Sequence, residues 1–296
     1  MEETIEYYPT GKFARLGSDQ FYIMTDKWYV RYDYQEDNLL IAATKLENKE
    51  GEITVSKDDW FSVPGVEHWY FPMLTVDGDT LLVSVTPSGA GTGKILMIDL
   101  CTRQCDEYPY LDKDACAIGI DDDVVYLACR FASGAKFVGL NWKTRDVIFE
   151  YHAGGLLIYA MMGKIYDGRR VIGQVNQRPD GDVYEIVSVP NGEVHLRVEG
   201  ESWEISQAGQ TMHTQYGVFY VSEDGNRYYS TFAGETYRVS IEINPPAGFH
   251  TKDVYFSPSG DAQSIWLEFK GENSGNYIAN YRMRQQRRQK SARSRA

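Results

Sequence analysis

The chain of 296 residues carries 42 Asp and Glu against 30 Lys and Arg, a formal net charge of −12, with 43% apolar and 14% aromatic residues. Its longest weakly polar stretch, Ala153 to Gly163, is about half the ~20 residues a membrane-spanning helix needs, and the opening Met-Glu-Glu-Thr has neither the basic nor the apolar part of a secretory signal. The composition therefore points to a cytoplasmic or particle-associated protein without membrane insertion, whose acidic body repels nucleic acid and anionic lipid.

The segments TIEYYPT and KFARLG come first, and a repeated pattern follows them. Its first copy reads WYVRYDY, a polar turn at Gln35-Glu36-Asp37, NLLIAATK, then EITVSKDD. The second reads WYFPMLTV, Asp77-Gly78-Asp79, TLLVSVTP, KILMIDL. The third reads ACAIGI, Asp121-Asp122-Asp123, VVYLACRF, KFVGLNW and VIFEYHA. The fourth reads LLIYAMMGKIY, Asp167-Gly168-Arg169, RVIGQVNQ, DVYEIVSV and EVHLRVEG. After SWEISQAGQTM lengthens the interval, the fifth reads YGVFYVS, Glu223-Asp224-Gly225, NRYYSTFA, TYRVSIEI. The sixth reads DVYFSPS, Gly260-Asp261-Ala262, QSIWLEFK, NYIANYRM.

An Asp-Gly pair between apolar runs signals a tight hairpin, with a type I′ turn expected because Gly and Asp tolerate positive φ. Runs rich in Val, Ile, Tyr and Trp suit a pleated, half-buried surface. Four antiparallel strands per unit of roughly 40 residues, repeated with no competing helical period, define an all-β fold: a single β-propeller of six blades. Seven blades are the alternative if residues 4–26 make most of a further one. The last copy lacks an outer strand, and the N-terminal segment is expected to supply it and remove the open edge. The domain division is 1–281 for the propeller and 282–296 for a basic C-terminal tail. Core positions on the second strands are Leu81, Val83, Val125, Leu127, Ile172, Tyr229 and Trp266.

The strand–DG–strand–GK–strand rhythm resembles the quinoprotein-like and YVTN-type propeller repeats, a likeness of architecture over nearly the whole chain. No Trp-Asp pair ends the blades and no Ser-x-Asp-x-Gly-x-Thr-Trp box occurs, so neither the WD-repeat nor the sialidase class is indicated. The segment SGAGTGK (88–94) lacks the spacing of a phosphate-binding loop and joins two strands. The Asp triplet reads as turn chemistry. Cys116 and Cys129 lie symmetrically about Asp122-Asp123, and Cys101 and Cys105 flank a second turn; such spacing is compatible with reduced thiols or with cross-strand disulfides.

Of the five histidines, His68, His152, His213 and His250 fall at or just before an expected inner strand. If the inner-strand loops converge on one channel mouth, these four with Gln215, Asp112 and Asp114 form a candidate site for a divalent metal such as Zn or Mn. That pattern resembles in outline the propeller-type oligogalacturonate lyases, and implies a metal-dependent lyase or hydrolase acting on a polysaccharide. No catalytic motif accompanies it. The leading expectation is therefore a non-enzymatic propeller without cofactor, serving as a structural, assembly or protein-interaction subunit of a larger complex such as a virus or phage particle. A glycan-binding module using surface aromatics is a third reading. Arg282, Arg284, Arg287, Arg288, Lys290, Arg293 and Arg295 concentrate seven cations in the tail, and without them the remaining chain stands at −19. Such a segment cannot bury enough apolar surface to fold alone. It suits docking on a neighbouring protein subunit, and it is the one part suited to nucleic acid.

Overall fold

The computed structural model describes residues 4–17, 21–35, 38–64, 66, 73–85, 93–109, 115–131, 134–164, 170–179, 181–189, 191–199, 211–213, 217–221, 225–231, 235–257, 264–271 and 275–284. Apart from a 3-10 turn at Lys57–Asp59, every regular element among them is a strand. Four sheets are simple antiparallel meanders. The first contains β2 (Phe21–Met24), β3 (Trp28–Gln35), β4 (Asn38–Lys45) and β5 (Trp60–Pro64). The second contains β6 (Met73–Asp77), β7 (Thr80–Val85), β8 (Lys94–Asp99) and β9 (Cys105–Pro109). The third contains β10 (Ala115–Asp121), β11 (Val124–Phe131), β12 (Gly134–Asn141) and β13 (Val147–Ala153). The fourth contains β14 (Leu156–Lys164), β15 (Arg170–Arg178), β16 (Gly181–Ser188) and β17 (Val194–Glu199).

The remaining strands form two further groups joined through the N-terminal strand β1 (Thr4–Leu16). One is β18 (Thr211–His213), β19 (Gly217–Val221), β20 (Arg227–Thr231) and β21 (Thr236–Ile241); the other is β22 (Phe249–Ser257), β23 (Ser264–Gly271) and β24 (Asn276–Met283). β1 runs antiparallel to β24, from Tyr7 opposite Met283 to Leu16 opposite Asn276, and so completes the sixth group as expected. Its first residues also pair in parallel with β21, Thr4 opposite Arg238 through Tyr7 opposite Ile241. Farther along, Phe13 N–H donates to Gly51 O and Phe13 O accepts from Ile53 N–H, at 3.0 and 2.7 Å. One strand thus ties the fifth, sixth and first groups and leaves little of its own edge unpaired. Residues 4–24 do not form a group of their own, because β1 joins the last and β2 opens the first.

The first strands of neighbouring groups approach one another, β10 beside β6 and β14, and β18 beside β22. The apolar core lies between sheets, with a layer at each of five pairs of neighbours among the described residues. Trp28, Val30 and Ile41 of the first group pack on Leu81, Val83 and Ile98 of the second. Leu82 and Ile95 of the second pack on Val125 and Leu127 of the third, and Phe137 and Phe149 of the third pack on Leu157 and Ile172 of the fourth. Phe219 and Tyr229 pack with Tyr7, Leu267 and Tyr281; Ala14, Leu16 and Trp266 pack against Met24 and Tyr29. The second sheet is covered on both faces, so TLLVSV reads as a continuous apolar run, with Leu81 facing the first group and Leu82 the third. This is the architecture of a β-propeller, and all seven expected core residues are buried.

The register departs from expectation in two groups. In the first, NLLIAATK is the third strand, the Gln35–Asn38 turn joins strands two and three, and EITVSKDD is a loop ending in the 3-10 turn. In the fifth, GVFYV is the second strand and Tyr229 lies on the third. The tight turns also differ from the expected type. Asp77 pairs with Thr80, so Gly78 and Asp79 are the two turn residues, and Gly78 alone has a positive φ, of 61°. That is the pattern of type II′. Finally, a bulge between Ala117 and Gly119 shifts the third hairpin by one residue. Cys116 then lies opposite Ala128 and faces the fourth group, while Cys129 lies opposite Ala115 and faces the second. No disulfide joins either pair, and Cys101 and Cys105 are exposed on their turn.

Candidate interaction site

Each group has a leading end, where its first strand begins, and a turn end, where that strand hands over to the second. His213 closes β18 at its turn end, opposite Val218, whereas His250 is the second residue of β22, at its leading end. The two stand at opposite ends of their strands and do not share a mouth. His152 lies on the outermost strand β13, opposite Lys136, with its side chain 68% exposed. Its Nε2 is 2.7 Å from Glu150 Oε1, and Glu150 also pairs with Lys136 at 2.7 Å. Lys136 and His152 hold the Glu150 carboxyl below its usual range. His68, Gln215, Asp112 and Asp114 lie outside the described residues. Among the described residues no group of three or more His, Cys, Asp or Glu is gathered to hold a metal ion.

Of the seven tail cations, Arg282 and Arg284 belong to the folded body. Arg282 pairs with Tyr8 in the sheet; Arg284 N–H donates to Glu6 O at 2.7 Å, and its guanidinium lies 3.3 Å from Glu6 Oε2. Strand pairing therefore continues beyond residue 281, the expected boundary. Arg287, Arg288, Lys290, Arg293 and Arg295 lie outside the described residues.

A feature that sequence reasoning missed is at the leading end. Phe21, Met73 and Leu156 are the first residues of β2, β6 and β14, and they are 53%, 50% and 54% exposed. Large apolar side chains thus open the first strands of three groups. Around Phe21 the apolar surface widens into an aromatic cluster. Phe21 stacks on Tyr32 at 5.4 Å between ring centroids and meets Tyr34 edge-on at 6.3 Å; Tyr32 and Tyr34 are 5.9 Å apart. Cross-strand pairing makes this cluster, since Phe21 lies opposite Tyr32 and Tyr34 follows two residues on, on the same face. Burial raises both phenol pKa values, for Tyr34 with a contribution from Tyr32, so the rings stay neutral well above physiological pH. The available signal was an apolar residue opening FYIM and LLIYAMM after the polar or glycine-rich GSDQ and HAGG.

The turn end is polar and cross-linked by side-chain bonds between groups. Asp77, freed from the turn itself, accepts from Ile120 N–H at 2.9 Å and pairs with the Arg170 guanidinium, which also donates to Ile120 O at 3.1 Å. The side chains of Arg170 and Asp77 are only 9% and 15% exposed, and together they link groups two, three and four. Trp28 Nε1 donates to Asp79 Oδ1 at 2.9 Å and links groups one and two. The turns between third and fourth strands recur in kind. Asp99 Oδ1 accepts from Cys101 and Thr102 N–H, and Asn141 Oδ1 accepts from Lys143 and Thr144 N–H. The fifth residue of each is left-handed: Arg103 at φ 64°, Arg145 at 68° and, in the fourth group, Gly192 at 70°.

No protein-family model matches the sequence, and neither does any curated protein. Solved structures similar to the chain include the β-propeller domain of the trilobed protease from Pyrococcus furiosus, at 10% identity over 91% of this chain and 94% of that one, with a TM-score of 0.48. The Dos1 propeller is similar at 11% identity over 91% and 67%, with a TM-score of 0.45. BBS1N, solved in complex with ARL6, is similar at 12% identity over 95% and 96%, with a TM-score of 0.44. The class to which the strand order assigns the chain is that of the β-propeller proteins. No helix of the described residues is long and apolar enough to cross a membrane.

Proposed function

We propose that this propeller is a non-enzymatic interaction subunit that joins a larger protein assembly through its leading end. The observation that carries the reading is the common position of Phe21, Met73 and Leu156, each about half exposed at the start of a first strand. Isolated exposed apolar residues need no explanation, but apolar side chains grouped on one rim are the usual core of a protein contact. The rim stands on strands fixed by inter-sheet packing, so it is preorganised and little ordering cost opposes binding. A virus or phage particle is one such assembly. The test is the triple variant Phe21→Ser, Met73→Ser, Leu156→Ser, expressed in the native source. It should still unfold in one cooperative transition, because about half of each side chain already lies in solvent and the inter-sheet core is untouched, while its recovery in the large-assembly fraction should fall at least tenfold. Unchanged recovery refutes the proposal.

A further inference from the structure

Several aromatic rings of this protein carry a cation. Arg15 lies over Phe13 and Tyr277, Arg31 over Trp60, Lys45 over Trp28, Arg103 over Phe61, Lys143 over Trp142 and Arg284 over Tyr8, at 5.3 to 6.0 Å from the ring centroids. Among the described residues no arginine or lysine lies over Phe21, Tyr32 or Tyr34, although Phe21 is exposed. The electron-rich ring faces suit a cationic side chain, arginine above all.

From this we infer that the cluster receives the basic segment 285–296 of a second copy of the chain, so that copies stack leading end to turn end. The inference rests on the reading of the leading end as an interaction surface. The segment, QQRRQKSARSRA, has five cations, no acid and no apolar side chain larger than Ala, which matches a ring face backed by an acidic body. Its starting point is fixed. β24 is the third strand of its group and runs towards the turn end, where Arg284 is pinned to Glu6. A same-copy path must first run back along the sheet, roughly 27 Å for eight residues, and then cross to the first group. Twelve residues reach about 40 Å when extended, so a same-copy path spends two-thirds of the segment along the sheet and leaves only Arg293 and Arg295 of its cations for the cluster. A copy stacked below presents its leading end directly to the departing segment. Such a contact joins two different surfaces, and it builds rings or filaments rather than a closed dimer.

Sedimentation velocity of the full chain over a range of concentrations tests this. Concentration-dependent self-association is expected, weakening as salt rises because the attraction is largely ionic. A full-length variant with Arg287→Gln, Arg288→Gln, Arg293→Gln and Arg295→Gln should lose association at least tenfold. Phe21→Ser should weaken it about two- to fivefold, the scale of a single exposed cation–π contact. Both variants should melt as the parent does, and a synthetic peptide of residues 285–296 should compete. A parent that is monomeric throughout overturns the inference, as does a Phe21→Ser variant that associates normally. If self-association is absent but the leading end still cross-links to a different protein, this inference falls and the proposed function stands.

Discussion

Replacing Arg170 with Met removes the guanidinium from the Asp77 carboxylate and keeps much of the aliphatic stem. With the partners only 9% and 15% exposed, the loss is that of a largely buried pair. Breaking such a pair from one side costs about 3–5 kcal/mol, mostly because the remaining charge stays desolvated. Asp77 retains its bond from Ile120 N–H, which places the expected cost near the low end, about 3 kcal/mol. Asp77→Asn should cost a similar amount by stranding Arg170. The double variant should cost clearly less than the two singles together, with a coupling of about 2 kcal/mol. At roughly 2–4 °C per kcal/mol the single variants should melt about 6–12 °C lower. Urea unfolding followed by tryptophan fluorescence, with calorimetry beside it, reads both quantities. Single losses below about 1 kcal/mol, or additive effects, would show a pair worth no more than a surface salt bridge and would refute the clasp between groups two, three and four.

Arg145→Gly should stabilise the protein by about 0.5–1 kcal/mol, since a left-handed residue with a side chain is strained and no side-chain bond of Arg145 to the described residues opposes the change. Arg103→Gly should gain less, because it also gives up the contact over Phe61 and the bond to Asp58 O; equal gains would contradict the assignment. The Asp99 carboxyl is held below its usual range chiefly by the Thr102 N–H bond, so its contribution is present above the unfolded value near ~3.9 and is lost as pH falls through the lower folded value. Asp99→Asn should keep the turn, as Asn141 does in the next group, and flatten stability against pH below about 4; an unchanged acid limb contradicts this. Deleting residues 1–19 removes the strand between β21 and β24 together with Tyr7, Ala14 and Leu16 from two core layers, and should abolish cooperative unfolding; unchanged melting contradicts closure by β1.

Much of the fold was legible because both faces of each central strand are buried, so TLLVSV, VVYLACRF and SIWLEFK read as strands whichever neighbour they face. Closure by the N-terminal segment was legible too, since the last copy lacked a strand. The register errors have one physical source. A four-residue β2 and a three-residue β18 are too short to show a period, while the polar turn at Gln35–Asn38 has the same residue types as the turns between first and second strands. Counting strands from turn chemistry therefore slipped by one in groups one and five. That slip moved His213 to the turn end of its strand and placed Phe21 outside the repeat, which hid the rim. The Cys116–Cys129 symmetry failed for another reason: a bulge at Ile118, beside the strand glycine Gly119, turns the two thiols to opposite sides of the sheet.

Photo-cross-linking at the leading end tests the interaction reading most directly. A benzophenone amino acid placed singly at Phe21, Met73 or Leu156 is activated in the native source, with the equally exposed Val147 and Val194, at the starts of outer strands near the turn end, as controls. The expected result is a covalent adduct with one defined polypeptide shared by the three rim positions, and not that adduct from the controls. Equal labelling at rim and control positions, or no adduct at the rim from assembled material, would contradict the leading end as the surface through which this propeller acts.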